Sequence, residues 1–131
     1  MAVKASTTLM HMHTVSLELA KDVTTEEALE VLRGAPRVRL VRSRDGIRTT
    51  AEVMEMARDI GRDRSDMYEV VIWEDGVKAV GNRLYFYQGV HQESDVIPEN
   101  IDCIRSMCKT EEDPAASVGR TDLSLGIPRK G

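Results

Sequence analysis

The stretch Glu69-Val70-Val71-Ile72-Trp73-Glu74-Asp75-Gly76-Val77-Lys78-Ala79-Val80-Gly81-Asn82-Arg83-Leu84-Tyr85-Phe86-Tyr87-Gln88-Gly89-Val90 decides the fold. β-Branched and aromatic residues fill 69–73, 77–80 and 84–90, and turn residues separate them. Glu74-Asp75-Gly76 and Gly81-Asn82 are the turns, so the pattern predicts an antiparallel meander. All five aromatic residues of the chain lie between Tyr68 and Tyr87. The rest of the core must then come from Val, Leu, Ile and the seven methionines.

Upstream, residues 7–19 read as a long strand. Its alternation puts Leu9, His11, His13, Val15, Leu17 and Leu19 on one face and Thr8, Met10, Met12, Thr14, Ser16 and Glu18 on the other. Thr24-Thr25-Glu26-Glu27 is a capping box that opens a helix with Ala28, Leu29 and Leu32 on its apolar side, ended by Gly34 and Pro36. Residues 37–42 form a second strand with Arg37 and Arg39 on one side and Val38 and Leu40 on the other, and Asp45-Gly46 is a turn. A helix over 50–60 carries Val53, Met56, Ala57 and Ile60 at helical spacing. Downstream, Pro98 suits the first turn of a helix reaching about Met107, with Ile97, Ile101, Ile104 and Cys108 on one face. From Lys109 onward the chain reads as a polar, exposed extension ending in an apolar hook, Leu123-Ser124-Leu125-Gly126-Ile127. The expected architecture is α+β, a mostly antiparallel sheet with helices packed on one face.

At 131 residues, 41% apolar and 31% charged, the chain is one domain's worth of folded protein rather than a disordered tail. A compact fold of this length removes about 68–70% of its unfolded surface from water, so no disulfide or metal staple is needed. No apolar run is long enough to span a bilayer, and the N-terminus shows no export pattern, which points to the cytosol and away from a membrane. Cys103 and Cys108 fit neither a disulfide framework nor a Cys-x-x-Cys motif. Within 33–48, Arg33, Arg37, Arg39, Arg42, Arg44 and Arg48 face only Asp45, a local +5 in a chain of net charge −4. A solvated basic strand face explains it. The acidic total and the lack of interleaved aromatic residues argue against a nucleic-acid partner.

Three histidines are the candidate acid–base groups. His11 and His13 share a strand face about 7 Å apart, and with His91 or Glu93 they could chelate a metal. His91-Gln92-Glu93-Ser94 follows a strand end, where sites are commonly assembled, and the Gln92 amide is the complement of a carboxamide ligand. Capping of the strand and helix explains the same residues without function. Neither a Gly-x-Gly-x-x-Gly nor a P-loop occurs, and both cysteines lie inside a helical apolar pattern, so the residues alone assemble no catalytic set.

Ser6-Thr7-Thr8-Leu9-Met10-His11-Met12-His13, Val90-His91-Gln92-Glu93-Ser94 and Val96-Ile97-Pro98-Glu99-Asn100-Ile101-Asp102 carry a resemblance. Arg33-Gly34-Ala35-Pro36-Arg37-Val38, Ala57-Arg58-Asp59-Ile60-Gly61-Arg62-Asp63-Arg64 and Ser124-Leu125-Gly126-Ile127 extend it in order along nearly the whole chain. The sequence resembles the C-terminal part of the catalytic domain of archaeal-type (class II) phosphorylating glyceraldehyde-3-phosphate dehydrogenase. The resemblance implies oxidation of the glyceraldehyde 3-phosphate aldehyde with NAD or NADP and phosphate, in cytoplasmic glycolysis and gluconeogenesis, by a homo-oligomer that is a tetramer in the family. It implies that His11 is the catalytic histidine and Gln92 a cofactor contact, with His13 and His91 as supporting groups. The family's dinucleotide-binding domain, its nucleophilic cysteine and the histidines for substrate phosphate all lie upstream of the matching segment, and Met1 matches an internal methionine. Residues 1–108 then correspond to a partial catalytic domain and 109–131 to a C-terminal extension, and the chain alone is expected to be inactive. A non-catalytic oligomerisation module and a small metal-binding domain using His11, His13 and His91 are the alternatives.

Overall fold

The computed structural model describes residues 9–128. Strand β1 (His11–Glu18) leads to helix α1 (Thr25–Gly34), strand β2 (Val38–Val41), helix α2 (Thr50–Asp59) and strand β3 (Val70–Trp73). Strands β4 (Lys78–Val80) and β5 (Arg83–Val90) and helices α3 (Gln92–Met107) and α4 (Pro114–Leu125) complete the chain. The fold is α+β with a mixed, mostly antiparallel sheet, as expected. Of the strand read over 7–19, Thr7 and Thr8 lie outside the described residues, as does the start of the Ser6-Thr7-Thr8 motif.

The sheet order is β1-β5-β3-β2. β5 is its spine: β1 pairs antiparallel along all of Arg83 to Val90, while the other edge of β5 takes β3 and then β4 in tandem. The expected meander is therefore only half present. β4 and β5 form a hairpin, but β3 skips β4 and pairs directly with β5, because Glu74–Gly76 coils into a 3₁₀ turn and the chain continues along the same edge. β2 runs parallel to β3, with α2 as the crossover that parallel pairing requires.

Alternation along the strands gives the sheet two apolar faces rather than one. Ile72, Leu84 and Phe86 pack with Ala28 of α1, while Val41, Val71 and Trp73 pack with Val53, Met54 and Ala57 of α2. Burying a side chain such as Val53 contributes roughly 1.5–3 kcal/mol. The helices thus sit on opposite faces, a correction to the expected one-sided packing. Capping boxes fix both starts, Thr24 with Glu27 and Thr49 with Glu52. Gly89 lets the core close tightly over β5: a Cβ there would lie 3.2 Å from Met10 Cε and 3.3 Å from the Trp73 ring, so these side chains would have to give way.

Two segments depart from their sequence reading. α3 begins at Gln92, six residues before Pro98, which lies buried inside the helix. Proline favours a first turn, but here the turn is set earlier, where the His91 carbonyl accepts from the amides of Ser94 and Asp95. The stretch from Lys109, read as an exposed extension, contains α4, which opens on Asp113 as N-cap and Pro114 and packs on α3. α4 buries Ser117, Thr121 and Asp122, so apolar periodicity gave no sign of it.

The polar seam between α3 and α4 centres on Asp102. Its Oδ1 accepts from Ser117 Oγ and Thr121 Oγ1, both at 2.7 Å, and from Arg105 Nη1 at 3.1 Å. Arg37 joins from the other side. Its Nη2 donates to Asp102 at 2.7 Å, its Nε to Asp122 at 2.8 Å and its Nη1 to Glu99 at 2.9 Å. Arg37 is not an extended strand residue as the alternation implied; its backbone is left-handed (φ 52°), which turns the side chain away from Arg39 and into the seam. Burial works to lower the Arg37 pKa, but the three carboxylates outweigh it and hold the guanidinium above its ordinary value. Burial likewise works to raise Asp102, but Thr121, Ser117 and Arg37 hold it below the usual carboxylate range.

Candidate active site at one corner of the sheet

The β1–β5 register places His11 opposite Val90, the last residue of β5. The chain then turns at His91 and enters α3 at Gln92. Two residues 81 positions apart in sequence, His11 and Gln92, are thereby brought to one corner of the sheet, and both are exposed. Among the described residues no group hydrogen-bonds the His11 ring, which is exposed. Gln92, in the first turn of α3, likewise presents its amide outward.

His91 is buried and turned inward. Its Nδ1 accepts from the Met67 amide at 3.2 Å, which puts the ring proton on Nε2, 3.6 Å from the Glu93 carboxylate. Ser94, fully buried, donates from Oγ to Asp66 Oδ1 at 2.7 Å, and Arg64 donates to the other Asp66 oxygen at 2.9 Å. Burial works to raise the Asp66 carboxyl, but the Ser94 hydroxyl and the Arg64 guanidinium hold it below the usual range. Ser94 Oγ also lies 3.0 Å from His91 Nδ1. The grouping of serine, histidine and aspartate is not a nucleophilic triad. Its hydroxyl is sealed from solvent, the aspartate holds the serine rather than the imidazole, and the facing nitrogen already receives an amide proton. Sequence reading marked Ser94 within His91-Gln92-Glu93-Ser94 but missed its partner Asp66, because their contact spans 28 residues and Asp66 lies in no motif.

The remaining candidates separate. His13 lies on the sheet surface with Nδ1 3.1 Å from the Gln88 amide. With His91 committed to Met67, the proposed His11–His13–His91 metal set does not assemble, and among the described residues no three His, Cys, Asp or Glu side chains are grouped to hold a metal. Cys103, on the later turns of α3, and Cys108, its C-cap residue, are both exposed. Cys103 is about 16 Å along the helix axis from Gln92, too far to serve as a nucleophile beside it. Four of the six arginines of the basic stretch are paired within the fold: Arg33 with Glu74, Arg37 with its three carboxylates, Arg39 with Glu69 and Arg42 with Asp45. Glu69 Oε1 also accepts from Arg62, whose guanidinium lies over the Tyr68 ring at 5.1 Å. Among the described residues no helix is long and apolar enough to cross a membrane.

No protein-family model matches the chain. Curated relatives do. The chain is 47% identical over 126 residues to the glyceraldehyde-3-phosphate dehydrogenase of Methanopyrus kandleri, covering 96% of this chain and 36% of that enzyme. It is 51% identical over 126 residues to that of Methanococcoides burtonii, 96% of this chain and 37% of the enzyme, and 47% identical over 129 residues to that of Thermoplasma volcanium, 98% and 38%. The chain spans a little over a third of the length of the curated relatives it matches. By identity of that degree along nearly all its residues, the chain is related to the archaeal glyceraldehyde-3-phosphate dehydrogenases and matches a segment that fits their C-terminal part.

Proposed function

We propose that this chain contributes the proton-accepting histidine, His11, and a cofactor-facing amide, Gln92, to an NAD(P)-dependent phosphorylating glyceraldehyde-3-phosphate dehydrogenase, and has no turnover alone. The observation that carries the reading is the meeting of exposed His11 and exposed Gln92 at one corner, set by the β1–β5 register. In the reaction a cysteine thiolate adds to the substrate aldehyde. His11 takes the hydroxyl proton of the resulting hemithioacetal as a hydride departs, leaving a thioester that phosphate cleaves to regenerate the thiolate. NAD or NADP supplies the hydride acceptor. Gln92 can pair its donor and acceptor with a carboxamide, so the residues present fit the nicotinamide end of that cofactor. The cysteine and the cradle for the dinucleotide phosphates are not found among the residues of this chain that form the site.

The test is a chimera in which this chain replaces the matching segment of the Methanococcoides burtonii enzyme. It is expected to oxidise glyceraldehyde 3-phosphate, and His11→Ala is expected to lower kcat about 10²–10⁴-fold with KM for the aldehyde little changed. A folded, cofactor-binding but inactive chimera, or a His11→Ala rate within threefold of its parent, refutes the proposal. So does turnover by the isolated chain that follows the protein through purification.

A second reading, self-association, draws on the sheet surface. Met12, Leu17, Tyr85 and Tyr87 are exposed across the two faces of β1–β5. Light scattering at high concentration tests it: assembly is expected, and a clean monomer rejects it.

A further inference from the structure

Gln92 is flanked by residues that are sealed away from solvent. His91, just before it, and Ser94, two residues after it, are both buried, whereas Gln92 and Glu93 are exposed. The buried pair is tied to one short segment ahead of β3: His91 Nδ1 to the Met67 amide, and Ser94 Oγ to Asp66. Asp66 is in turn held by Arg64, and the His91 carbonyl accepts from the amides of Ser94 and Asp95 at 2.8 and 2.9 Å. The segments 64–67 and 91–95 are thus joined at the point where β5 turns into α3.

The chemistry of the position is unusual for its place. His91 occupies the N-cap of α3, where Ser, Thr, Asp or Asn would satisfy the free amides, yet its side chain makes no capping bond. The imidazole instead serves as a buried acceptor for the Met67 amide, a donor that no other group among the described residues accepts from. A helix start that needed only capping has no use for this arrangement. A corner whose backbone must hold one fixed position does.

We infer that His91 is a positioning residue: with Ser94 and Asp66 it locks the β5–α3 corner and thereby fixes where Gln92 stands relative to His11. The inference rests on the proposed role of Gln92. It gives the buried polar cluster a purpose beyond packing, since small displacements of a contact group cost large factors in an oriented reaction, about 10²-fold for 1 Å.

The test uses His91→Phe, which fills the space without an acceptor, and His91→Asn, whose carbonyl oxygen can take the place of Nδ1. In the 131-residue chain, amide hydrogen exchange at Met67 and the NMR resonances of the Gln92 side-chain amide are followed. In the chimera, KM for NAD(P) and kcat are measured for His91→Phe, Gln92→Ala and the double variant. Expected for His91→Phe are Met67 exchange faster by about tenfold or more, displaced Gln92 resonances, and a cofactor KM raised severalfold with kcat changed less. His91→Asn is expected to restore all three, and the double variant to be no worse than Gln92→Ala alone. The inference falls if His91→Phe leaves the Gln92 resonances in place, or if the two KM penalties simply multiply. If Gln92→Ala leaves the cofactor KM unchanged, the role of Gln92 fails, while the exchange and resonance measurements still decide the lock. Ser94→Ala loosens the same corner from the α3 side and decides the matter by the same readouts if the Phe variant does not fold.

Discussion

Arg37 is the residue whose loss should cost the fold most. Its side chain is 9% exposed and bridges β2 to both C-terminal helices through Glu99, Asp102 and Asp122, which are 58%, 16% and 7% exposed. The three pairs are unequal. The Glu99 pair faces water and contributes at most about 1 kcal/mol. Asp102 keeps Arg105, Ser117 and Thr121 when Arg37 is removed. Among the described residues Asp122 has Arg37 as its only charged partner, and it would be left as a buried carboxylate, a situation that costs about 3–5 kcal/mol. Arg37→Met keeps the aliphatic stem and the left-handed backbone, so it isolates the charge. Taking about 3 kcal/mol, and unfolding entropy of about 2.1 cal/mol/K per residue, the melting temperature should fall by roughly 11 °C. Thermal and urea unfolding followed by circular dichroism measure it. Asp122→Asn in the same background should recover much of the loss, because no charge is then stranded. A drop below about 3 °C, or full additivity of the two substitutions, refutes the reasoning.

Two further outcomes follow from the helix starts. Thr24→Ala and Thr49→Ala should each cost about 1 kcal/mol, and their sum should hold in the double variant because the two caps share no partner; urea midpoints check both. Asp95 has a buried Oδ1 without a hydrogen-bond partner among the described residues, and burial, aided by the charge of Glu99, pushes its carboxyl above the ordinary aspartate value. A carboxyl raised on folding stabilises below its unfolded pKa and loses that contribution as pH climbs through the folded one. Asp95→Asn should therefore raise the melting temperature at pH 7, with the gap to the parent closing on acidification; a gap independent of pH contradicts it.

What could be read in the sequence divides by the range of the interactions. Local chemistry was legible: the Thr24–Glu27 box, a strand at β1 and the β4–β5 turn all appear where residue types place them. Pairing order was not. Nothing in 69–90 distinguishes a β3 that pairs with β4 from one that passes it and pairs with β5, since both arrangements use the same alternation. α4 escaped for a different reason, because its buried side is Ser117, Thr121 and Asp122 and its partners are Asp102, Arg105 and Arg37. Polar helix seams carry no hydropathy signal. The same limit applied at the proposed site: His11 and Gln92 were suggested by resemblance, whereas the buried groups around His91, namely Asp66, Met67 and Ser94, become visible only when 66–67 is seen to meet 91–94.

The contrast between these two sets of residues bears on how the site can work. The holding groups are buried and hydrogen-bonded, while His11, on which the proposed chemistry turns, stands in open water on an edge strand. Of the eight residues of β1 only Val15 is even partly buried. A strand with both faces wet and one edge unpaired is ordinarily protected by charge, proline or a covering element, yet this one presents Met12 and Leu17 to solvent. An imidazole in bulk water has no advantage over a dissolved one: its effectiveness as a base depends on a substrate held at hydrogen-bond distance and on exclusion of competing water. The corner supplies only the first half of that requirement, a fixed place for the base relative to Gln92. The second half needs a surface that closes over β1, and Leu17 on the face of His11 and Met12 on the other are exposed apolar residues on which such a surface would gain burial energy. On this view the wet face of β1 and the predicted inactivity of the isolated chain have one cause.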